Sequence, residues 1–260
     1  MRIATWNLDH ASSGSRPIAL QIEQIRNIAP DIIVLTETCD EVDLSPHGYL
    51  FSLPSERNKY QKYYSTIWSK YPILHKVMTY DPETAVCALI QTPLGKVIVY
   101  GTIITYFGDR GSDDSSPSPN WFEHHKAIEK HGDDWSKIYK DEYGSRFPLL
   151  VCGDFNQPRD GSKYNRSEGG LNISLLDEQL ERNYLLCLTK EDFGETGKLH
   201  VDPKKNFIRN SIDHICMTKQ SYTVNYVGAW DHFDASGKYL SDHNGVYIDL
   251  DLNAAGVLPL

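Results

Sequence analysis

Short apolar runs recur along this chain of 260 residues, and polar or turn-forming segments separate most of them. Several runs are rich in Val, Ile, Tyr and Thr, which are residues that β-strands prefer, so the runs predict strands. The predicted strands cover residues 2–8, 31–35, 66–68, 86–91, 96–104, 148–152, 212–217, 223–227 and 246–252.

Apolar residues at three- and four-residue spacing predict helices between some of these strands. Residues 17–28 carry isoleucines at this spacing, and Pro30 ends the helix. A second helix is expected after Asn120, and a third over about 172–182. Adjacent strands with intervening helices favour mixed sheets in layers over a simple βαβ alternation. No repeat or shift in composition divides the chain, so we expect a single domain over residues 1–260.

Composition narrows the class of protein. The net charge of −9 argues against a protein that coats nucleic acid by bulk electrostatics, but bound cations at an acidic metal site would locally invert the field. No apolar run approaches the roughly 20 residues that a membrane span needs, and the first residues do not resemble a signal peptide. We therefore expect a cytoplasmic protein without a membrane partner. The five cysteines include no CxxC pair and are expected to be reduced core residues. No feature of the sequence indicates an oligomeric state.

Polar residues follow or begin the apolar strands at five places. One such placement is typical of a turn or a cap, whereas five in one chain indicate a functional site. The five segments are TWN at 5–7, TET at 36–38, GDFN at 153–156, SIDHI at 211–215 and SDHNGV at 241–246.

The residue types in these segments suit hydrolysis of a phosphodiester. Hard oxygen ligands suit Mg²⁺, which takes one or two carboxylates and keeps several waters. Glu37 and Asp242 are candidate carboxylate ligands, and Asn7 and Asn156 offer neutral amide contacts.

Three further residues are candidates for the proton chemistry. Asp154 is a candidate for orienting or deprotonating an attacking water. His243 is a candidate for acid–base chemistry or for holding the phosphate, and Asp213 for fixing its tautomer.

The order and spacing of the five segments resemble the endonuclease/exonuclease/phosphatase superfamily over nearly the whole chain. The resemblance implies a four-layered α/β sandwich, in which two packed mixed β-sheets are flanked by helices. It also implies Mg²⁺ as the cofactor, with Mn²⁺ as an alternative. The implied metal-site residues are Asn7, Glu37 and Asp242. The implied catalytic residues are Asp154 and Asn156, which position the nucleophile and the phosphate, and His243 with its orienting partner Asp213.

The chain departs from the family pattern in one place. Many members carry a His after the central strand, in an NTHL-type motif, and the matching stretch here, 100–106, has none. Abasic-site nucleases of the family place a Tyr in this region, so Tyr106 is the candidate. A half-buried aromatic at a strand end is the alternative for Tyr106, and a metal-bound water is the alternative leaving-group acid.

Other histidines are interpreted as structural. His214 lies beside Asp213 on a strand, so the alternation of faces points it away from the site. His124 and His125 lack partners that would make a zinc site.

Two segments combine cations with aromatic residues, as phosphate-backbone contacts do. The segment 157–170 supplies Arg159, Lys163 and Arg166 as candidate substrate-binding residues, with an ordinary polar loop as the alternative. The segment 57–64 is the second. Together they favour a nuclease for DNA or RNA. A lipid or small-molecule phosphoesterase, sphingomyelinase-like or inositol-phosphatase-like, is the alternative enzyme, and a non-catalytic binding module is the third hypothesis. The sequence does not decide whether the substrate is DNA or RNA, or whether cleavage is by an endonuclease or an exonuclease. It also does not decide whether one metal ion or two take part.

Overall fold

The computed structural model describes residues 1–10, 18–111, 115–161, 170–218 and 222–252. Its β-strands form two six-stranded sheets. Sheet I has the strand order β11-β12-β1-β2-β4-β3. Its strands are β1 Arg2–Asn7, β2 Ile32–Thr38, β3 Phe51–Pro54, β4 Tyr63–Ser69, β11 Tyr222–Trp230 and β12 Gly245–Leu252.

Sheet II has the strand order β5-β6-β7-β8-β10-β9. Its strands are β5 Ile73–Val77, β6 Ala85–Thr92, β7 Gly95–Ile103, β8 Leu149–Asp154, β9 Leu185–Cys187 and β10 Asp213–Thr218. Each sheet is mixed, because one parallel pair lies within it: β1 with β2 in sheet I, and β7 with β8 in sheet II. The other pairings are antiparallel.

The helices cover the outer faces of the two sheets. Helix α1, Ile18–Ile28, packs on sheet I. Helix α2, Phe122–Ser136, continues as a π-helical segment, Lys137–Glu142, and packs with helix α3, Gly170–Arg182, on sheet II. A 3₁₀ turn lies at Ser45–His47. Among the described residues, no helix is both long enough and apolar enough to cross a bilayer.

A buried apolar layer joins the two sheets. It is built from residues that alternate along the strands, such as Ile3, Val34, Val99, Cys152 and Ile215. Two further clusters lie between sheet I and α1 and between sheet II and α2–α3. The order of layers is therefore helix, sheet, sheet, helix, and the predicted four-layered sandwich is confirmed.

The chain pairs its first described strand with its last. Arg2 lies opposite Asp249 in the β1–β12 register. The guanidinium of Arg2 donates to both carboxylate oxygens of Asp249, over 2.7 and 2.8 Å, a bidentate geometry that fixes the register.

Three strands were not predicted, and β4 begins three residues earlier than predicted. β3, β5 and β9 are short edge strands with partly exposed residues, so they show no continuous apolar run. β4 begins at Tyr63, three residues before the predicted strand at 66–68, so Tyr63 and Tyr64 of the segment 57–64 belong to a strand of sheet I.

Candidate active site

Three polar side chains occupy one end of the apolar layer between the sheets. Asn7 ends β1, Asp154 ends β8 and Asp213 begins β10, and all three side chains are buried. By the two-residue alternation of a strand they share the faces that elsewhere carry the inter-sheet core. The alternation of side chains along the three strands is therefore sufficient to place Asn7, Asp154 and Asp213 between the sheets.

Asp154 and Asp213 lie directly opposite each other in the β8–β10 pair, and His243 joins them. The Nδ1 of His243 is 2.7 Å from Oδ2 of Asp213. Burial alone would lower the pKa of His243, but the charges of Asp154 and Asp213 raise it to about 10. The ring is therefore an imidazolium at neutral pH, and Nδ1–H donates to Asp213.

Asp154 accepts hydrogen bonds from two asparagines. Asn7 Nδ2 and Asn156 Nδ2 each donate to Oδ2 over 3.1 Å, and the backbone N–H of Asn156 donates to Oδ1 over 2.8 Å. Asn156 adopts a left-handed conformation with φ 51°, which turns its backbone N–H back toward Asp154. Burial raises the pKa of Asp154 to about 7, against the lowering effect of His243. Asp154 can thus exchange a proton near neutral pH.

The backbone around His243 is anchored to β1. Trp6 Nε1 donates to the carbonyl oxygen of His243 over 2.7 Å. Ser241 Oγ donates to the carbonyl oxygen of Asn7 over 2.7 Å and accepts the backbone N–H of His243 over 3.0 Å. These bonds hold the catalytic candidates on β1 and before β12 in one fixed unit.

Two further carboxylates stand at the same end of the cleft. Glu37, at φ 54°, breaks the alternation of β2, and its Oε2 lies 3.1 Å from His10 Nε2. Burial raises the pKa of Glu37, and His10 and the hydrogen bond from Asn7 oppose the rise. Asp242 Oδ1 is 3.7 Å from His243 Nε2, and Asp242 Oδ2 is 3.9 Å from Arg209 Nη2.

These groups line a cleft of about 790 Å³. The carboxylates among its described lining residues are Asp9, Glu37, Asp81, Asp109, Glu123, Asp154 and Asp242. The Lys and Arg side chains among them are Lys126, Lys130 and Arg209. An excess of carboxylate over ammonium and guanidinium is an environment that attracts cations.

The donor set fits a hard divalent cation. Glu37, Asp9 and Asp242 offer carboxylate oxygens, the ligands that Mg²⁺ and Mn²⁺ prefer. Ligand atoms of Asp154, Asp213 and His243 also lie within 4.8 Å of one another. That trio is better explained as a hydrogen-bonded ion pair, because Nδ1 of the imidazolium already donates to Asp213 and cannot coordinate an ion.

The sequence matches the family described as "Endonuclease/Exonuclease/phosphatase family" over residues 4–243. The chain belongs to this family. The resemblance in the strand-end segments is thereby confirmed, and the chain is a member of a group of phosphoric ester hydrolases that typically use divalent metals. A comparison with curated protein sequences finds no match.

Solved structures of other family members share the fold. An endonuclease/exonuclease/phosphatase from Beutenbergia cavernae has 18% identity and a TM-score of 0.66, covering 99% of this chain and 72% of that one. D. rerio TDP2 complexed with single strand DNA product has 14% identity and a TM-score of 0.64, covering 96% and 98%. The 3′ phosphatase NExo from Neisseria, bound to product DNA hairpin, has 16% identity and a TM-score of 0.65, covering 96% and 99%.

The structure brings most of the predicted site residues of this family member together. Tyr106 also reaches the cleft, where it is 54% exposed. The residues that line the cleft, or form a hydrogen bond with a residue that does, are Asn7, Glu37, Tyr106, Asp154, Asn156, Asp213, Asp242 and His243.

The predicted substrate-binding residues are placed differently. The side chain of Arg159 is 8% exposed, donates to Asp177 on α3 and does not line the cleft. Burial and this ion pair remove it from contact with a substrate there, so its position does not support the predicted role. Lys163 and Arg166 lie outside the described residues.

His214 and His124, which were interpreted as structural residues, are both buried. His214 is buried, with Nε2 2.9 Å from the carbonyl oxygen of Gln157, so it lies on the face of β10 away from the cleft as expected. His124 is buried between the backbone of Thr105 and the amide of Gln157, and burial lowers its pKa to about 4. Both are packed as structural residues.

Sequence reasoning missed several cleft residues. Asp9 and His10 follow Asn7 in left-handed conformations, at φ 51° and 48°, which direct the chain along the cleft. Lys126 and Lys130 come from the polar face of α2, which resembles any solvated face, and Arg209 from an irregular segment. The sequence offered one signal, because Asp9 lies two residues after the TWN segment. Lys126, Lys130 and Arg209 could be assigned to the cleft only from the folded structure.

Proposed function

We propose that this protein hydrolyses phosphodiester bonds of nucleic acid with the help of a bound divalent ion, Mg²⁺ or Mn²⁺. The observation that carries the proposal is the floor of the cleft, where Asn7 and Asn156 hold Asp154 opposite the His243–Asp213 pair.

Asp154 orients the attacking water and takes its proton. Its oxygens are held by hydrogen bonds from two directions, so the carboxylate presents a fixed acceptor to the water. A pKa of about 7 suits a general base at neutral pH. The water oxygen bonds to phosphorus as the ester P–O bond on the opposite side breaks.

His243 stabilises the negative charge that builds on the phosphate during attack. Its Nδ1–H is committed to Asp213, so Nε2–H remains to donate to a non-bridging phosphate oxygen. A positively charged donor held before the reaction begins is worth more than one that must reorganise.

Glu37, Asp9 and Asp242, with help from the amide of Asn7, would hold the divalent ion. Bound there, the ion would stabilise charge on the phosphate and on the leaving oxygen. Tyr106, exposed at the cleft, donates the proton that the leaving oxygen needs and recovers one from solvent.

The nucleic-acid part of the proposal rests on two exposed aromatic residues in the cleft and on the solved relatives. The exposed rings of Tyr80 and Tyr106 line the cleft, and exposed aromatic rings suit stacking of bases. D. rerio TDP2 was solved with a single strand DNA product and Neisseria NExo with a product DNA hairpin.

The test is a substrate panel with purified protein in Mg²⁺, Mn²⁺ or EDTA. The panel holds single- and double-stranded DNA, abasic DNA, RNA, sphingomyelin, inositol phosphates and a chromogenic phosphodiester. We expect EDTA-sensitive cleavage of a nucleic acid. Asp154→Asn and His243→Gln should each lower kcat by about 10²- to 10⁴-fold, the usual contribution of a positioned proton-transfer group.

His200→Gln is the matched control, because His200 forms a similar pair with Asp231, 2.7 Å away, outside the active-site cleft. Circular dichroism checks that each variant is folded. Near-normal rates in Asp154→Asn or His243→Gln would reject the assigned site. Turnover confined to sphingomyelin, inositol phosphates or the small diester would keep the site and reject the nuclease.

A further inference from the structure

The cleft extends from the carboxylate site along α2. We call this extension the α2 arm, defined by Tyr80, Thr84, Lys126, Ala127, Lys130 and His131, all of which line the cleft. None of these residues contacts Asp154 or His243 through a hydrogen bond or ion pair among the described residues. The arm is therefore positioned to contact a part of the substrate other than the bond that breaks.

Lys126 and Lys130 lie four residues apart on α2, so they share one face of the helix and are one turn apart. Lys126 Nζ is 3.2 Å from a carboxylate oxygen of Glu123, and the lysine side chain is 58% exposed, so solvent weakens the pair. Lys130 has no ion pair or hydrogen bond among the residues that the structure describes. Two ammonium groups at this spacing can both reach the oxygens of one phosphate group.

The inner wall of the arm is a fixed polar network. His131 Nδ1 lies 3.0 Å from the hydroxyl of Tyr100, and its Nε2 lies 3.1 Å from Oγ1 of Thr102. Burial lowers the pKa of His131 to about 4, so the ring is neutral at neutral pH. The wall thus adds no positive charge. The attraction for an anion in the arm comes from the two lysines and acts against the carboxylate of Asp81, which also lines the cleft and accepts a hydrogen bond from Thr84 over 2.8 Å.

An aromatic ring stands beside these lysines and is held in place. The backbone N–H of Tyr80 donates to Asp134 over 3.0 Å, and the ring packs edge-on against His131 at 4.9 Å. Tyr80 as a whole residue is 41% exposed. A held, exposed aromatic ring next to cations is the combination that binds single-stranded nucleic acid, by stacking and by phosphate contact.

We propose that the α2 arm is a subsite for a second nucleotide of a single-stranded substrate, whose non-scissile phosphate binds Lys126 and Lys130 and whose base stacks on Tyr80. This inference rests on the proposed nuclease function and deepens it. The protein then selects chain substrates over small diesters, because only a chain carries a second phosphate. Arg209 differs from the two lysines of the α2 arm in its position. It lies 3.9 Å from Asp242, and in the proposed mechanism it is therefore beside the phosphate that reacts.

The experiment compares a chromogenic diester with a single-stranded hexanucleotide. For Lys126→Gln/Lys130→Gln, the ratio of kcat/KM on the hexanucleotide to kcat/KM on the diester should fall about tenfold, mainly through KM. The salt dependence of hexanucleotide binding should weaken by about 0.7 in log–log slope for each lost contact. Binding is measured by fluorescence anisotropy in an Asp154→Asn background, so that no cleavage occurs.

Lys137→Gln is the matched control, because this exposed lysine directly follows α2 and does not line the cleft. Its substrate ratio and salt slope should equal those of the unaltered protein. The subsite is rejected if the double variant leaves the ratio unchanged, or if Lys137→Gln lowers it equally. If the unaltered protein cleaves only the small diester, the proposed nuclease function fails; if it cleaves the hexanucleotide while the double variant keeps the ratio, only the subsite fails.

Discussion

Asp154 and Asp213 stand directly opposite each other on neighbouring strands, where two like charges repel. His243 resolves the conflict as a cation bonded to Asp213 and attracted by both carboxylates. The same arrangement ties the proton affinities of the three groups together. The motifs predicted these residues as site residues. That Asp154 lies opposite Asp213, and that the pKa values of Asp154 and His243 are shifted, could be seen only from the strand pairing.

Removal of the charge on Asp213 should shift the pH range of activity. Asp213→Asn removes one of the three carboxylate charges that raise the pKa of His243, those of Asp154, Asp213 and Asp242, so that pKa falls from about 10. His243 acts as a cation, and activity is lost as pH rises through its pKa. The alkaline limb of the kcat/KM profile should therefore move to lower pH. Asp231→Asn, which removes the partner of His200, is the control. An alkaline limb at the same pH in both variants contradicts the role of Asp213.

At the scale of elements, the junction of β7 and β8 sets the position of Asp154. Gly153 lies opposite Thr102 in this parallel pair and has φ 142°. A Cβ at this position would overlap the carbonyl oxygen of Thr102. The GDFN segment thus needs its glycine for the approach of the two strands, in addition to the aspartate to which we assign the proposed chemistry.

Gly153→Ala should lower both stability and turnover. The backbone conformation alone costs about 1–3 kcal/mol for a residue with a Cβ, and the overlap with Thr102 adds to it by forcing the strands apart. Urea unfolding measures the first effect, and the rate of diester hydrolysis measures the second. Gly144→Ala is the control, since Gly144 has φ 54° but nothing within 4 Å of its added Cβ. Equal losses of stability in the two variants would show that the strand contact adds nothing.

Sequence patterns predicted the elements unevenly for a physical reason. Central strands such as β7 and β8 are buried on both faces and read as continuous apolar runs. The edge strands β3, β5 and β9 are short and half exposed, and their pairing depends on neighbours that are distant in sequence. The lysines of α2 were likewise invisible as site residues, because a polar helix face does not show what lies across from it.

At the scale of the whole molecule, the net charge of −9 and the carboxylates at one end of the cleft both attract cations. The folded protein holds these carboxylates close together. In the unfolded chain the same carboxylates are far apart and surrounded by water. A divalent cation should therefore bind the folded protein in preference to the unfolded one and raise its stability.

Addition of Mg²⁺ or Mn²⁺ should raise Tm, and EDTA should reverse the rise. At a concentration about 100 times Kd the stabilisation is about 2.7 kcal/mol. For a domain of this size that corresponds to a rise of roughly 5–10 °C. Glu37→Gln should lose most of the shift, while Glu178→Gln, on the exposed face of α3, should keep it. Differential scanning calorimetry gives the result, and a full shift in Glu37→Gln would remove Glu37 from the metal site.

The pairing of β1 with β12 bears on the order of events during synthesis. Arg2 and Asp249 are 247 residues apart, yet they bond across adjacent strands. Asn7 leaves the ribosome before His243, which enters the site only with the segment that precedes β12. Closing so long a loop is slow, because its entropy is lost before the pairing compensates for it. A growing chain that already carries Asp154 and its two asparagines still lacks His243 for about ninety residues more, so the proposed site is complete only when the segment before β12 has been made.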